Sequence, residues 1–264
     1  MKLATYLSPG ASEPVAGEVR GDRVVAFASG TVLDRLASGD REPADGAAHP
    51  LAEVTLLAPV PQPRAIFGIG LNYAAHAAET GADLPERPMV FMKLPSSSTA
   101  PGGTVEVPAA AAKRLDYEAE LVVVLGADNR IAGYAVGDDL SARDLQGREP
   151  QWTRAKGFDS SCPWGPWITT PDEVPDPQAL RIGSRVNGEV RQDSTTADLV
   201  FGPQALVDWI AQTCTLEPGD LILTGTPQGV GQAMDPPQFL AAGDVVRCEV
   251  EDLGAIEHTI AVRE

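Results

Sequence analysis

The sequence predicts a β-rich α+β fold, and three observations support this prediction. The 264 residues include 26 glycines and 23 prolines, an excess that favours many turns over a helical bundle. Short runs of apolar and β-branched residues recur along the chain, and the longest extends from Leu121 to Leu125. Only a few segments carry apolar residues at helical spacing, so we expect few helices.

Residues 1–58 predict a small N-terminal α/β unit, separate from a larger domain formed by residues 59–264. Two β-like runs, Val15–Val19 and Arg23–Phe27, are separated by a short turn signal and predict a hairpin. Apolar residues at helical spacing within 32–36 predict a helix after this hairpin. A polar segment rich in glycine and proline then predicts a linker to the larger domain.

From residue 59 onward, the chain predicts a series of strands with two helices among them. Apolar and β-branched runs predict the strands, and apolar or helix-forming segments that end at a glycine predict the helices. The predicted strands lie at 65–69, within 89–97, at 119–126, within 131–141, from 221, and in a closing hairpin of 244–254 with 255–264; the predicted helices lie at 74–80 and within 201–220.

The charge balance of the chain argues against nucleic acid as a partner. There are 37 acidic and 20 basic residues, a net charge of −17, and no basic run that could neutralise phosphates. The cysteines Cys162, Cys214 and Cys248 are far apart and predict neither a zinc ribbon nor a disulfide framework. No apolar run is long enough for a signal-peptide core or a membrane span, so we expect a cytoplasmic protein without membrane contact.

Several common catalytic motifs are absent. The sequence contains no GxSxG elbow, no HExxH pair and no GxxxxGK[ST] phosphate loop. Gly68-x-Gly70 is followed by Tyr73 where a dinucleotide fingerprint requires its third glycine. The usual serine hydrolases, zinc proteases and nucleotide-binding folds are therefore not supported.

Acidic residues surround the most apolar strand of the chain. Side chains alternate between the two faces of a strand, so Glu118 and Glu120 project to one side, roughly 6.6–6.8 Å apart. Asp138 and Asp139 face opposite ways in the next acidic turn, so only one of them can approach the same point. A hard cation such as Mg²⁺ relieves the repulsion between such carboxylates, whereas the alternative is a set of solvated acidic side chains at a strand edge.

A second candidate constellation is a histidine with a glutamate. His76 and Glu79 are three residues apart on the predicted helix and therefore share a face. A carboxylate that binds an imidazole orients it and raises its basicity, as a general base requires. The alternative is an ordinary surface pair. The helix lies between glycines, so we also hypothesise that it is a mobile lid.

Other polar residues complete the set of candidates. Lys156 lies among aromatic residues and is either a site residue or an exposed lysine whose stem packs on them. Arg143 and Gln146 follow the acidic turn and can form an anion clamp. The small-residue loop 224–231 follows a strand, and its amides can hold a carboxylate; the alternative is a tight turn.

Taken in order, these segments resemble the fumarylacetoacetate hydrolase family over about residues 59–264. The resemblance implies a mixed β-sandwich roll, a divalent metal that is usually Mg²⁺ (with Mn²⁺ or Ca²⁺ as alternatives) and a homodimer. It is carried by GLNYAAHAAETG, PMVFMKLPSS, LDYEAELVVVLG, GYAVGDDLSARDLQ, WTRAKGFDSSCPWGPW, VNGEVRQDSTTADLVF and LEPGDLILTGTPQGVG.

The resemblance also assigns roles, position by position. It implies three metal ligands, a water-activating pair with a polar active-site lysine, and three residues that line the substrate pocket. These are, respectively, Glu118, Glu120 and Asp139; His76, Glu79 and Lys156; and Arg143, Gln146 and Thr226. One departure is the segment between Val124 and Gly133, which is shorter than in many members and either alters the wall near the metal or trims a surface turn.

The function that this resemblance implies is hydrolysis of a C–C bond. The expected substrate is a small anionic 2-oxo or 1,3-dicarbonyl acid, such as an acylpyruvate, a fumarylpyruvate or a diketo-deoxy sugar acid, cleaved through a metal-stabilised enolate. Because the same enolate serves several reactions, the alternatives are an isomerase or decarboxylase acting on a 2-hydroxy-diene or oxo dicarboxylic acid. A further alternative is a non-catalytic metal-binding protein of the same fold.

Overall fold

The computed structural model describes residues 1–264 as nineteen strands and five short α-helices. The strands are β1 (Lys2–Leu7), β2 (Pro14–Arg20), β3 (Arg23–Ala26), β4 (Ala48–Pro50), β5 (Thr55–Leu57), β6 (Ile66–Gly70), β7 (Met89–Lys93), β8 (Ser98–Thr99), β9 (Gly102–Pro108), β10 (Leu115–Asp116), β11 (Ala119–Leu125), β12 (Ile131–Asp138), β13 (Ser141–Ala142), β14 (Cys162–Thr169), β15 (Arg181–Val186), β16 (Glu189–Thr195), β17 (Leu221–Leu223), β18 (Val245–Val250) and β19 (Gly254–Arg263). The helices are α1 (Val32–Ser38), α2 (Ala74–Thr80), α3 (Arg143–Gln146), α4 (Thr153–Lys156) and α5 (Pro203–Ala211).

Two large mixed sheets form the molecule. The larger has twelve strands in the order β4-β3-β2-β1-β14-β12-β11-β17-β6-β7, with β5 paired to β1 and β8 to β14. The smaller has five strands in the order β16-β15-β18-β19-β9, and β10 pairs separately with β13. The largest apolar cluster combines residues of both sheets, among them Leu121, Val123, Ile182 and Val246. This sandwich confirms the predicted β-rich α+β fold class.

The hairpin of β11 and β12 forms the centre of the larger sheet. Every residue of β11 is buried, because its β-branched and aliphatic side chains pack on both faces. The strands pair antiparallel from Ala119 opposite Asp138 to Leu125 opposite Ile131. The shortened segment between Val124 and Gly133 closes this hairpin at the end opposite the acidic residues. At the rise of a strand, the two ends of β11 are about 20 Å apart. The shortening therefore trims a turn remote from the predicted metal ligands.

The N-terminal residues extend the larger sheet. β1 pairs with β14, and β2 and β3 form the predicted hairpin. Helix α1 begins at a capping box formed by Thr31 and Asp34. It buries Val32 and Leu36 in a cluster that also contains Val122 of β11. Residues 1–58 therefore share a sheet and a core cluster with the rest of the chain, and the division at residue 58 stays a prediction.

The elements predicted near the candidate site are confirmed. Helix α2 occupies the predicted residues 74–80 and ends at Gly81, whose left-handed backbone stops the helix. Helix α5 buries Leu206 and Ile210 on one face, and β18 and β19 form the closing antiparallel hairpin. No helix is both long and apolar enough to cross a membrane.

Candidate active site

A cavity of about 350 Å³ opens where the β11–β12 hairpin carries its acidic residues. Apolar side chains form one wall, including Met89, Phe91 and Trp152. Seven of the nine predicted site residues line the cavity, namely His76, Glu118, Glu120, Arg143, Gln146, Lys156 and Thr226. The other two, Glu79 and Asp139, bond to the lining residues His76 and Lys156, respectively.

The three predicted metal ligands converge. Glu118 precedes β11, Glu120 lies within this strand, and Asp139 follows β12, whose register brings the three together. One carboxylate oxygen from each lies within 4.8 Å of the others, and all three residues are buried. The adjacent Asp138 turns away and contacts His258 instead. The alternative of solvated acidic side chains is therefore wrong, whereas the ligand roles stay predictions.

Two buried lysines compensate part of this negative charge. Lys156 Nζ lies 2.5 Å from Glu118 Oε2 and 2.9 Å from Asp139 Oδ2. Lys93 Nζ lies 2.6 Å from Asp139 Oδ1 and also donates to the carbonyl of Lys156. Both lysines are almost fully buried, so the alternative of an exposed Lys156 is wrong.

Glu120 differs from the other two carboxylates because no lysine or arginine bonds to it. Its Oε2 accepts only the backbone N–H of Gly225, at 2.7 Å. Burial, together with repulsion from Asp139 and Glu118, raises the pKa of Glu120 well above its ordinary value. Burial also opposes ionisation of Glu118, but the charges of Lys156 and Arg143 outweigh it and lower the pKa of Glu118.

These residues fit a divalent cation. Hard cations bind carboxylate oxygens, and three such oxygens within 4.8 Å of one another are close enough to share one ion. The cation would supply the positive charge that Glu120 lacks. The acidic cluster can therefore hold a divalent metal.

The predicted His–Glu pair forms on helix α2. His76 Nδ1 lies 2.7 Å from Glu79 Oε1, and the histidine is buried against the cavity. The backbone N–H of Gly229 donates to both Glu79 oxygens, at 3.1 and 3.0 Å. With Nδ1 bound to Glu79, Nε2 is the ring nitrogen available for proton transfer. The pair is not an ordinary surface pair, because His76 is buried and the backbone of Gly229 holds Glu79.

Arg143 makes a different arrangement from the expected anion clamp. Its Nε donates to Asp116 Oδ2 at 2.8 Å, and another nitrogen donates to Glu118 Oε1 at 2.6 Å. A third nitrogen donates to Gln146 Oε1 at 3.0 Å. Two carboxylates of the chain therefore compensate the guanidinium charge, and Gln146 is oriented beside it.

The predicted carboxylate-binding loop binds carboxylates of the chain itself. Gly225 donates its N–H to Glu120, and Gly229 donates to Glu79. The Thr226 hydroxyl donates to the carbonyl of Ala119 at 3.0 Å and accepts from a neighbouring side-chain amide. The loop thus joins the acidic cluster to helix α2.

Three residues that bond to the predicted site residues were missed by sequence reasoning. Lys93 is the only charged residue of the otherwise apolar strand β7, a signal that could have revealed a buried cation. Asp116 lies two residues before Glu118 and binds Arg143, so strand alternation could have found it. Gln192 bonds to Thr226 at 2.7 Å, and no local pattern identifies it.

The chain belongs to the fumarylacetoacetate hydrolase family. Residues 65–261 match the family described as fumarylacetoacetate (FAA) hydrolase C-terminal. The chain is 43% identical over 218 residues to the oxaloacetate tautomerase Fahd2a, mitochondrial, of Rattus norvegicus, covering 78% of this chain and 69% of that protein. It is 38% identical over 256 residues to the oxaloacetate tautomerase YisK of Bacillus subtilis (strain 168), covering 91% and 83%.

A solved structure extends the similarity to the whole fold. The fumarylacetoacetate hydrolase EaFAH from psychrophilic Exiguobacterium antarcticum superposes with a TM-score of 0.89 at 32% identity, covering 100% of both chains. The resemblance seen in the sequence is thus confirmed. The comparisons support an enzyme of this family and leave the reaction open among its members, because the relatives named above include tautomerases and a hydrolase.

Proposed function

We propose that this chain is a tautomerase that depends on a divalent cation and interconverts the enol and keto forms of a small 2-oxo dicarboxylic acid such as oxaloacetate. The observation that carries this proposal is the buried cluster of Glu118, Glu120 and Asp139 facing His76 across one cavity. The names of two relatives, at 43% and 38% identity, support tautomerisation over the other reactions of the family.

The cluster needs a cation before it can bind an anionic substrate. Glu118, Glu120 and Asp139 would hold a divalent metal, which would supply the positive charge that an anionic 2-oxo acid needs in this cavity. Lys156, whose Nζ lies between Glu118 and Asp139, adds a hydrogen-bond donor on the same side. Gln146 and Thr226 line the cavity and supply further polar contacts to the substrate.

Tautomerisation moves one proton and no other group. In the direction from enol to keto, the enol oxygen passes its proton to His76 Nε2, and the imidazolium so formed gives a proton to the adjacent carbon. His76 performs the transfer at carbon through Nε2, because Nδ1 is held by Glu79. Glu79, bound to Nδ1, orients His76 and stabilises this imidazolium in both directions of the reaction. No water molecule is consumed in this reaction.

Hydrolytic C–C cleavage is the second candidate. The His76–Glu79 pair is equally suited to activate water, and the wall of Met89, Phe91 and Trp152 suits the apolar tail of an acylpyruvate. A hydrolase named among the similar structures supports this candidate. Decarboxylation of an oxo dicarboxylic acid uses the same enolate and belongs to the same test.

The proposal is tested by following the absorbance of enol-oxaloacetate with purified protein in Mg²⁺ or in EDTA. We expect fast loss of the enol above the buffer background in Mg²⁺, and only the background rate in EDTA. The variant His76→Asn should lower the rate by about 10²-fold or more, because it removes the proton-transfer group. Cleavage of acetylpyruvate without tautomerase activity would instead favour the hydrolase, and turnover of neither would favour a non-catalytic protein.

The native metal and the assembly are part of the proposal. We infer Mg²⁺ as the bound ion, with Mn²⁺ and Ca²⁺ as competitors, and calorimetric titration with each would rank them. The family resemblance further implies a homodimer, for which light scattering of the purified chain gives the mass directly. A monomer at working concentration would contradict this part alone and leave the reaction untouched.

A further inference from the structure

A buried aspartate–histidine pair lies directly behind the acidic cluster. Asp138 ends β12 of the larger sheet, and His258 lies on β19 of the smaller sheet. His258 Nε2 lies 3.2 Å from Asp138 Oδ2, and both side chains are fully buried. The pair therefore connects the two sheets at the level of the metal ligands.

His258 occupies a position that would otherwise be apolar. Along β19, Ile256, His258 and Ile260 point in turn into the core between the sheets. Neither ring nitrogen of His258 makes a well-aligned hydrogen bond, and the 3.2 Å approach of Nε2 to Asp138 Oδ2 is the polar contact of the imidazole. A buried polar side chain without partners is costly, and an aliphatic residue would fill this place at lower cost. The histidine is thus explained by its contact with Asp138.

Asp138 in turn fixes the backbone of a metal ligand. Its Oδ1 accepts the N–H of Glu118 at 2.8 Å. Glu118 lies just before β11, so no strand partner serves this N–H. On the other side of the same residue, the Glu118 carbonyl accepts the N–H of Asp139 at 2.9 Å. Asp138 and Asp139 therefore bind Glu118 at its N–H and at its carbonyl, respectively.

We propose that His258 is a positioning residue for the metal site: it holds the Asp138 carboxylate, which fixes the Glu118 peptide and so sets the spacing of Glu118 and Asp139. This inference rests on the proposed function, since it assumes that these two residues bind a cation. Residues that do not bind the metal themselves but orient its ligands typically contribute about 10–100-fold to metal affinity.

The test compares His258→Leu with Ile260→Ala, a matched change two residues along on the same core face. Calorimetry measures Mg²⁺ affinity, and NMR measures hydrogen exchange of the Glu118 N–H without metal. We expect His258→Leu to weaken Mg²⁺ binding about tenfold and to speed this exchange about tenfold, with Ile260→Ala within about twofold of wild type in both. Equal effects of the two variants, or no effect of His258→Leu, would overturn the proposal.

Two further variants test whether His258 acts through Asp138. Asp138→Asn keeps an acceptor for the Glu118 N–H but carries no charge, so adding His258→Leu in this background should change Mg²⁺ affinity less than about twofold. If His258→Leu alone does not fold, His258→Gln keeps a donor toward Asp138 and should retain wild-type affinity within about threefold. A tenfold loss in His258→Gln would contradict the proposal.

The two readouts separate this inference from the proposed function. If wild-type protein binds no divalent cation, the proposed metal site fails. The exchange rate of the Glu118 N–H still decides whether His258 positions that residue. If wild-type protein binds Mg²⁺ and the His258 variants bind it equally well, only the positioning role fails.

Discussion

Glu120 is the carboxylate on which we expect cation binding to depend most. Glu118 and Asp139 are compensated by lysines, whereas Glu120 is bonded only to a backbone N–H. We expect Glu120→Gln to weaken Mg²⁺ binding by at least about 100-fold, because an amide oxygen replaces an anionic ligand. The control is Glu106→Gln, which removes an exposed carboxylate and should leave the calorimetric affinity unchanged. Equal affinities of the two variants would show that Glu120 is not a ligand.

We expect the same residue to give cation binding a pH dependence. Burial and the neighbouring carboxylates raise the pKa of Glu120 in the metal-free protein. At pH values below this raised pKa, a cation binds only by displacing a proton from Glu120. The Mg²⁺ affinity should therefore rise with pH and level off above that pKa. Titrations at about pH 6 and about pH 8 in buffers of different ionisation enthalpy measure the affinity and the protons released. Equal Mg²⁺ affinity at the two pH values, without proton release, would contradict this pH dependence.

At the residue scale, sequence reasoning predicted the convergence of the carboxylates better than the residues that bond to them. Glu118 and Glu120 are neighbours on one strand, so local alternation predicts that they share a side. The choice between Asp138 and Asp139 came from the family resemblance, because alternation alone leaves both open. Lys93 contacts Asp139 from a distant part of the sequence, and no local pattern predicts such a contact.

At the scale of elements, the loop after β17 positions helix α2. Gly229 has φ of +99°, and a Cβ atom there would lie 2.2 Å from the carbonyl oxygen of Arg191. Gly229→Ala must therefore displace the loop and break its hydrogen bonds to Glu79. We expect kcat to fall about tenfold or more, because His76 loses its oriented partner.

The control for this change is Gly188→Ala. Gly188 also has a positive φ, of +83°, but its Cβ would meet nothing within 4 Å. This variant should lose about 1–2 kcal/mol of stability from the backbone conformation and keep its kcat. If both variants keep the wild-type kcat in steady-state assays, the loop does not orient the His–Glu pair.

Elements with strong local patterns were predictable, whereas their long-range partners were not. Helix α2 has the predicted bounds because an alanine-rich run ends at Gly81. The pairing of β1 with β14 joins residues more than 160 positions apart, so no local signal specifies it. Strand β7 was predicted, and its single charged residue is a signal of a buried cation, but the partner of Lys93 lies on a distant part of the chain.

At the scale of the whole molecule, residues 1–58 and 59–264 should unfold together. Leu36 of α1 is buried in the cluster that contains Val122 of β11. We expect Leu36→Ala to lower the free energy of unfolding by about 2–5 kcal/mol, because it leaves a cavity in this shared core. All four tryptophans lie in 59–264, so their fluorescence reports the larger part of the chain.

Denaturant unfolding followed by fluorescence and by circular dichroism measures this coupling. Both signals should shift together in Leu36→Ala, as expected for one cooperative transition. Leu33→Ala, at a half-exposed position of the same helix, should cost less than about 1 kcal/mol. An unchanged fluorescence midpoint in Leu36→Ala would show that the N-terminal residues form an independent domain after all.

The sequence predicted the fold class and the family of the whole chain, because alternating strands and ordered motifs extend over most of its length. It did not predict how the N-terminal strands join the larger sheet, since composition suggested a separate unit. Nor did it select among hydrolysis, decarboxylation and tautomerisation, because these reactions share one enolate and differ only in the bonds that form or break beside it.

A crystal grown with Mn²⁺ and oxalate tests the central claim most directly. Oxalate mimics the planar enolate of a 2-oxo acid, and Mn²⁺ is located by its anomalous scattering. We predict one anomalous peak within bonding distance of Glu118, Glu120 and Asp139, with oxalate bound between it and His76. Density without such a peak, or a peak that these three carboxylates do not share, would contradict the account.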